Sequence, residues 1–369
     1  MEKGEAQSTI DSELMLFQPV NVNRSTERVS YIDYRPNNQL SHATPVEIAI
    51  TNNSSQYTDF RRSKLYARCR ITTREGKKLT DDDIVAPANL LLHNLWDKVD
   101  IFLQQKQITT GSAAHSYRAL LDILLNSGGP SLESTYQAQL YFKDTSGGAI
   151  NNPNPLTAPI NVGLYERYKL TKNSKIVDVI GNLCTDLNSL DKYLLNGIHI
   201  TIKLTQSTDA FRLMSPKGDA QYIVELLDVY FRCCQVTVTP EVITAHNNLL
   251  AKNFALYPYT KTMLKAYAIP AGSFSYNASD LFLGAVPSRL VCCFVSAKAF
   301  SGSYAENPYN LKHYNLNTLS LTIDGQSVPG RPFTCKFQED KGQNYVEAFL
   351  ALFSGLTREE ADSGIYINR

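Results

Sequence analysis

The segment 316–328, LNTLSLTIDGQSV, constrains this chain more than any other, because its pattern occurs twice. Apolar side chains at Leu319, Leu321, Ile323 and Val328 have counterparts at Val99, Ile101, Leu103 and Ile108, all at an offset of 220 residues. Alternation by two puts every second side chain on one face, so each set predicts a half-buried strand, a short polar connection and an apolar restart. In the later copy the connection is Asp324-Gly325, a strong signal for a two-residue hairpin. A helical pattern follows each hairpin. Tyr117, Leu120, Leu121, Leu124 and Leu125 share one helix face in the first, and Tyr345, Ala348, Phe349, Leu352 and Phe353 do so in the second. Both run into small residues that suit a helix stop, Ser127 with Gly128 and Ser354 with Gly355. A hairpin and a Tyr-led helix repeated in the same order predict an internally duplicated chain.

Length agrees with duplication, since 369 residues exceed one ordinary core and suggest two or three domains. Lys and Arg number 36 against 35 Asp and Glu, a net charge of +1, so no bulk field recruits nucleic acid or an acidic membrane. The polar N-terminus, MEKGEAQSTIDSE, lacks the apolar run of a signal peptide, and no stretch reaches bilayer-spanning length. A protein of the cytosol or nucleus, not secreted, is expected. The seven cysteines are odd in number, and four are the neighbours Cys233, Cys234 and Cys292, Cys293. Adjacent strand residues point to opposite faces, so neither pair bridges to itself and buried reduced thiols acting as small hydrophobes are expected. Sequons at Asn23, Asn52, Asn53 and Asn277 then carry no glycan.

Residues 1–43 are polar and turn-rich apart from Leu14, Leu16, Phe17 and Val20, and read as an extended arm. Strand alternation begins at Val46, Ile48, Ile50 and continues at Leu65, Ala67, Cys69, Ile71, with Tyr66, Arg68 and Arg70 facing away. The basic residues Arg61, Arg62, Lys64, Lys77 and Lys78 lie among Asp59, Glu75 and Asp81 to Asp83, and read as a solvated face. Segment 147–161, with Gly147, Gly148, Pro153, Pro155 and Pro159, predicts a projecting loop. Strands are expected at 175–180 and at Ile198, Ile200, Ile202, Leu204, the latter entered through a type I′ turn at Asn196-Gly197, and the run 222–238 closes the first half. Thr239-Pro240-Glu241 reads as a helix start, with Thr as N-cap and Pro first in the helix, leading to about Asn253. The second half offers strands near 262–269 and 288–295, then the turn-rich loop 302–310 before the repeated hairpin, a loop expected, like 147–161, to project at the surface and contact neighbouring copies. The domains expected are an arm over 1–43, a first jelly roll over 44–238, and a linker helix with a truncated second jelly roll over 239–369. The fold class is all-β, a tandem jelly roll with short inserted helices.

Sequence motifs for chemistry are missing. His42, His93, His115, His199, His246 and His313 lie far apart with no His-x-His, His-x-x-x-His or Cys-x-x-Cys set, which gives a cupin-type metal enzyme little support. No G-x-S-x-G elbow, P-loop or G-x-G-x-x-G occurs, so no catalytic, cofactor-binding or metal residue is assigned and a non-enzyme is expected. Tyrosines number 21, and Tyr165, Tyr168, Tyr304, Tyr309 and Tyr314 fall in or near expected loops, where they suit a binding surface for protein or, alternatively, for carbohydrate.

The strings SELMLF, VAPANLLLHNLWDKVDIFL, YRALLDILL, LLNGIHITIKLTQSTDAFRLM, YAIPAGSFSYNASDLFLGAVPSRLV and FSGSYAENPYNLKHYNLNTLSLTIDGQSVP resemble the major capsid protein of Polinton (Maverick) and adintovirus-type elements, from about Ser12 onward. The resemblance implies a double jelly roll, a homotrimeric pseudo-hexagonal capsomer, and an icosahedral shell around double-stranded DNA. It also implies penton or minor capsid proteins as partners, assembly in the host nucleus or cytoplasm, and a gene that can sit integrated in a host genome. In one respect the chain departs from that family: only 16 residues follow Phe353, against roughly 110 between the first helix and Thr239. The second jelly roll is therefore expected to be incomplete at its C-terminal side, with unpaired strand edges, an uncovered apolar face and a tendency to aggregate.

Overall fold

A computed structural model describes residues 25–109, 113–218, 221–279, 281, 282, 284, 286–337 and 342–354. Its strands are β1 (Thr26–Tyr34), β2 (Val46–Ile50), β3 (Gln56–Thr73), β4 (Ala86–Pro87), β5 (Trp96–Leu103), β6 (Lys106–Gln107), β7 (Val177–Gly181), β8 (Ile200–Gln206), β9 (Leu213–Met214), β10 (Tyr222–Val238), β11 (Thr318–Ile323) and β12 (Gln326–Thr334). Between them lie α1 (Leu91–Asn94), α2 (His115–Asn126), α3 (Gly129–Leu132), α4 (Val162–Thr171), α5 (Asp209–Arg212), α6 (Pro240–Leu250), α7 (Ala297–Ser301) and α8 (Val346–Ser354).

Two antiparallel four-stranded sheets, β1-β10-β3-β7 and β2-β8-β5-β6, face each other across the first core. Ranked along the chain with the small β4–β9 ribbon set aside, these eight strands lie in the orders 1-8-3-6 and 2-7-4-5. That is the wrapping of a complete jelly roll. Alternation in the sequence builds the core directly. Ile48 pairs with Ile202 and Ile202 with Ile101, while Val46 and Val99 flank Leu204, so aliphatic rows cross three strands. From the facing sheet come Leu65, Ala67, Cys69 and Ile71 of β3 with Val229, Phe231 and Cys233 of β10. Each of the larger side chains contributes about 1.5–3 kcal/mol on burial.

The second half is built differently. Its β11 and β12 form a two-stranded ribbon joined by Asp324-Gly325, and α8 follows with Tyr345, Ala348, Phe349 and Leu352 half-buried while Val346, Glu347 and Leu350 face out. The architecture is thus mostly β-sheet with short helices, as expected, and one sandwich is complete. Segments 262–269 and 288–295, expected as strands, join no ladder. Both segments are apolar runs rather than alternating ones, and among the described residues neither is paired in a ladder.

Other expectations are corrected within the first half. Residues 26–34, expected in the arm, form β1, an edge strand paired to β10 from Thr26↔Val238 to Tyr34↔Phe231. Only Gly197 of the Asn196-Gly197 turn has positive φ, 73°, so the turn is not type I′ and joins no paired hairpin. On α2 the buried apolar side chains are Tyr117, Ala119, Leu120, Ile123 and Leu125, whereas Leu121 and Leu124 are only half-buried. The helix is covered by α1 and by the second half as well as by the sheet, which rotates its apolar face from the expected stripe. Thr239 and Pro240 do start a helix, α6, ending at Leu250.

Candidate interaction surfaces

The sequence points to no catalytic, cofactor-binding or metal residue, and the groups able to do chemistry are its histidines, cysteines and buried ion pairs. Two of the six histidines meet. His93, inside α1, and His115, first residue of α2, are each led into their helices by a left-handed residue, Leu90 and Ala114. Their rings are buried with His93 Nδ1 3.4 Å from His115 Nε2 and His93 Nε2 2.8 Å from Gln139 Oε1. Gln139 Oε1 accepts from the His93 Nε2–H, leaving His93 Nδ1 to accept from the His115 Nε2–H. Burial pushes the His93 pKa down to about 4 against the Gln139 hydrogen bond. Burial first, then His93 and Arg118, hold His115 well below the usual imidazole range. The Cys184 thiol, 3.7 Å from His93 Nε2, is pushed up by burial. Neutral rings and a protonated thiol make this a structural relay rather than a nucleophile with its base. Among the described residues no group of three or more His, Cys, Asp or Glu could hold a metal ion, and no helix is long and apolar enough to cross a membrane.

The strongest polar construction joins the two halves. Arg167 of α4 is fully buried; its Nη2 lies 2.6 Å from Asp144 Oδ1, and its Nε and Nη1 donate to the carbonyls of Pro87 and Phe142, both at 2.8 Å. Asp144 Oδ2 accepts from Asn307 Nδ2 at 2.9 Å, and the Asn307 N–H donates to Asn151 Oδ1 at 3.2 Å. The two loops expected to project, 147–161 and 302–310, therefore meet each other. In the first, Ala149 and Asn161 are buried while 156–160 stay exposed; in the second, Asn307, Pro308 and Tyr309 are buried. This corrects the expectation for 302–310. Its aromatic rings are better buried than hydrated, and each hydroxyl finds a partner. Tyr309 Oη bonds Asn94 Oδ1, Tyr304 Oη donates to the Tyr222 carbonyl at 3.0 Å, and Tyr117 Oη donates to the Pro308 carbonyl at 2.9 Å.

The tyrosines expected to form a binding surface consequently divide. Tyr168 and Tyr309 are buried and Tyr304 is half-buried, leaving Tyr165 and Tyr314 exposed, the former under Lys169 Nζ at 5.0 Å. The basic residues behave as a solvated face, with Arg61 on Asp191, Arg62 on Asp59 and Lys77 on Glu75. All seven cysteines are free; Cys69, Cys184, Cys233, Cys234 and Cys335 are buried as expected, whereas Cys292 and Cys293 are exposed, because their segment joins no sheet among the described residues.

What remains is an apolar surface on the second half. Phe254 is 95% exposed, Leu256 81% and Val286 64%; Phe274 is fully exposed, and Met263, Tyr267 and Ile269 are more than two-fifths exposed. Scattered apolar residues are ordinary on a protein surface, but this density over one segment marks an interaction surface.

No family model matches the chain. An uncharacterised Caenorhabditis elegans protein, F54H12.2, is 24% identical over 317 residues, covering 84% of this chain and 72% of its own length. Solved structures that resemble it include the Faustovirus major capsid protein, at 9% identity and a TM-score of 0.38. A chain of the Sputnik virophage structure gives 11% and 0.40, and VP54 of PBCV-1, fitted into a Sputnik reconstruction, 10% and 0.38. These matches cover 62–64% of this chain and 59%, 53% and 46% of the respective capsid-structure chains.

Proposed function

We propose that this protein is a structural subunit of a viral capsid, of the Polinton or adintovirus type that its sequence resembles. The observation that carries the reading is the repeated hairpin. A complete jelly roll contains β5–β6, and 220 residues on, β11–β12 closes on the same register, Leu103↔Lys106 against Ile323↔Gln326 and Phe102↔Gln107 against Thr322↔Ser327. A second jelly roll grown around the repeated hairpin would make the polypeptide a broad wall element, and the exposed apolar residues of the second half suit burial between subunits better than exposure to water. In this reading three copies form a pseudo-hexagonal capsomer that tiles an icosahedral shell around double-stranded DNA. Penton and minor capsid proteins complete the shell, assembly occurs in the host nucleus or cytoplasm, and the gene can be a genome-integrated copy. Near-neutral net charge suits a shell wall.

Sedimentation and negative-stain imaging of the purified protein test the proposal. A closed trimer, or regular sheets and shells built from one, is the expected outcome. A stable monomer that binds a defined glycan would replace the capsid reading with a carbohydrate-binding module.

A further inference from the structure

The duplicated hairpin also says what the second copy lacks among the described residues. In the first copy β5 is bonded on both edges, to β6 on one and to β8 on the other. The Gln104 N–H donates to the His199 carbonyl and the Ile108 N–H to the Ile101 carbonyl, so even-numbered residues of β5 face β8 and odd-numbered ones face β6. At the offset of 220 residues, Ser320 and Thr322 of β11 stand where Asp100 and Phe102 stand in β5. Their backbone groups therefore point to the edge that β12 does not occupy, and among the described residues no strand pairs there.

We propose that this edge of β11 is a strand-acceptor site, and that its occupant is an antiparallel β-strand with aliphatic residues at alternate positions, lying on β11 as β8 lies on β5. Ile200, Ile202 and Leu204 pair with Leu103, Ile101 and Val99 in the first copy. The incoming strand would place equivalent side chains beside Ile323, Leu321 and Leu319, which are half-buried without it. Main-chain hydrogen bonds supply the affinity in such augmentation, and the alternate side chains supply the register. The inference rests on the repeat alone and stands whether or not the protein builds a capsid.

A labelled peptide of this chain's residues 197–206, GIHITIKLTQ, is the probe, added to the full-length protein. Saturable binding is expected, with amide exchange at Ser320 and Thr322 slowed at least about tenfold. N-methylation of the peptide at the positions of Thr201 and Lys203, whose amides would face β11, should abolish binding, while methylation at Ile202, facing away, should not. Thr322→Pro in the protein should remove binding too, and the methylated peptides carry the test if that variant does not fold. Amides at Ser320 and Thr322 already protected in the protein alone would overturn the proposal. So would β11 pairing with β11 of a second copy, seen as a dimer that Thr322→Pro dissolves, or binding indifferent to the position of the N-methyl group.

Discussion

The hairpins β5–β6 and β11–β12 share a register, an apolar alternation and a following helix, and differ in what covers them. In the first, Val99 is 7% exposed and Ile101 is fully buried, because β8 lies alongside and β3 and β10 lie opposite. The equivalents Leu319 and Leu321 are only half-buried, and Val328, equivalent to half-buried Ile108, is 41% exposed. The same local code thus gives the same local structure in both places, because turn and register are short-range, while burial comes from distant strands. The covered copy should carry stability and the uncovered one should carry association.

The sharpest way to break that division is at the polar lock where the halves meet. Arg167→Met leaves Asp144 buried without its cation and frees the Pro87 and Phe142 carbonyls, an expected loss of about 3–5 kcal/mol in chemical denaturation. Adding Asp144→Leu should recover part of it, since the uncompensated charge is then gone. Asn307→Ala removes the neutral amide that donates to Asp144 Oδ2 and the Ile150 carbonyl and accepts from the Tyr309 N–H, should cost about 1–3 kcal/mol, and should speed amide exchange in 302–310.

Next in size is a matched pair. Ile101→Ala empties space in a closed core, with an expected loss of about 2–5 kcal/mol. Leu321→Ala, at the equivalent position, should cost about 1 kcal/mol or less because its site is already half-solvated. Equal losses would mean that the second hairpin is as well packed as the first.

The comparison also marks what the sequence could and could not convey. Period-two alternation located β2, β3, β8 and β10, the Asp324-Gly325 turn located the second hairpin, and the 220-residue repeat located the first, whose Gln104-Gln105 connection carries no turn signal of its own. β1 was missed because it is an edge strand, mostly exposed, whose TERVSYIDY run carries little alternation. Segments 262–269 and 288–295 are apolar but join no ladder among the described residues, and pairing with a distant strand is something no local pattern reports. Asn307 and the His93–His115 pair left no sequence signal. The residues they join, Asp144 to Asn307 and His93 to His115, meet only through tertiary packing.

Acid should separate the halves as well. The folded-state pKa of His93 lies near 4 and that of His115 is also depressed, against about 6.5 in an unfolded chain. Between those values the unfolded state binds more protons, so the stability held above pH 6.5 is lost progressively as the pH falls toward 4. Both rings sit under the first jelly roll's helices, so amides of α1 and α2 should open first on acidification. Replacing both histidines with Gln should flatten that pH dependence, measured as denaturation midpoint from pH 7 to pH 4.5.

The smallest expected effect lies in the two turns. Both central residues have positive φ in each copy, Gln104 at 47° and Gln105 at 68°, Asp324 at 48° and Gly325 at 80°. A left-handed backbone suits glycine and strains a residue with a Cβ, so the buried hairpin closes through the poorer turn and the bare one through the better. That asymmetry fits the division of roles: strands held by β8 need no help from their turn, whereas β11 and β12 have little else. Gln105→Gly should stabilise the first half by about 1 kcal/mol or less, because relief of strain is offset by the added freedom of glycine in the unfolded chain. Gly325→Ala should destabilise the ribbon by about 1–2 kcal/mol, with faster amide exchange in β11 and β12 and no change in the first jelly roll. If Gly325→Ala instead lowered the denaturation midpoint of the whole chain, the second hairpin would belong to the same cooperative unit as the first, and the contrast between covered and uncovered copies would not extend to their stability.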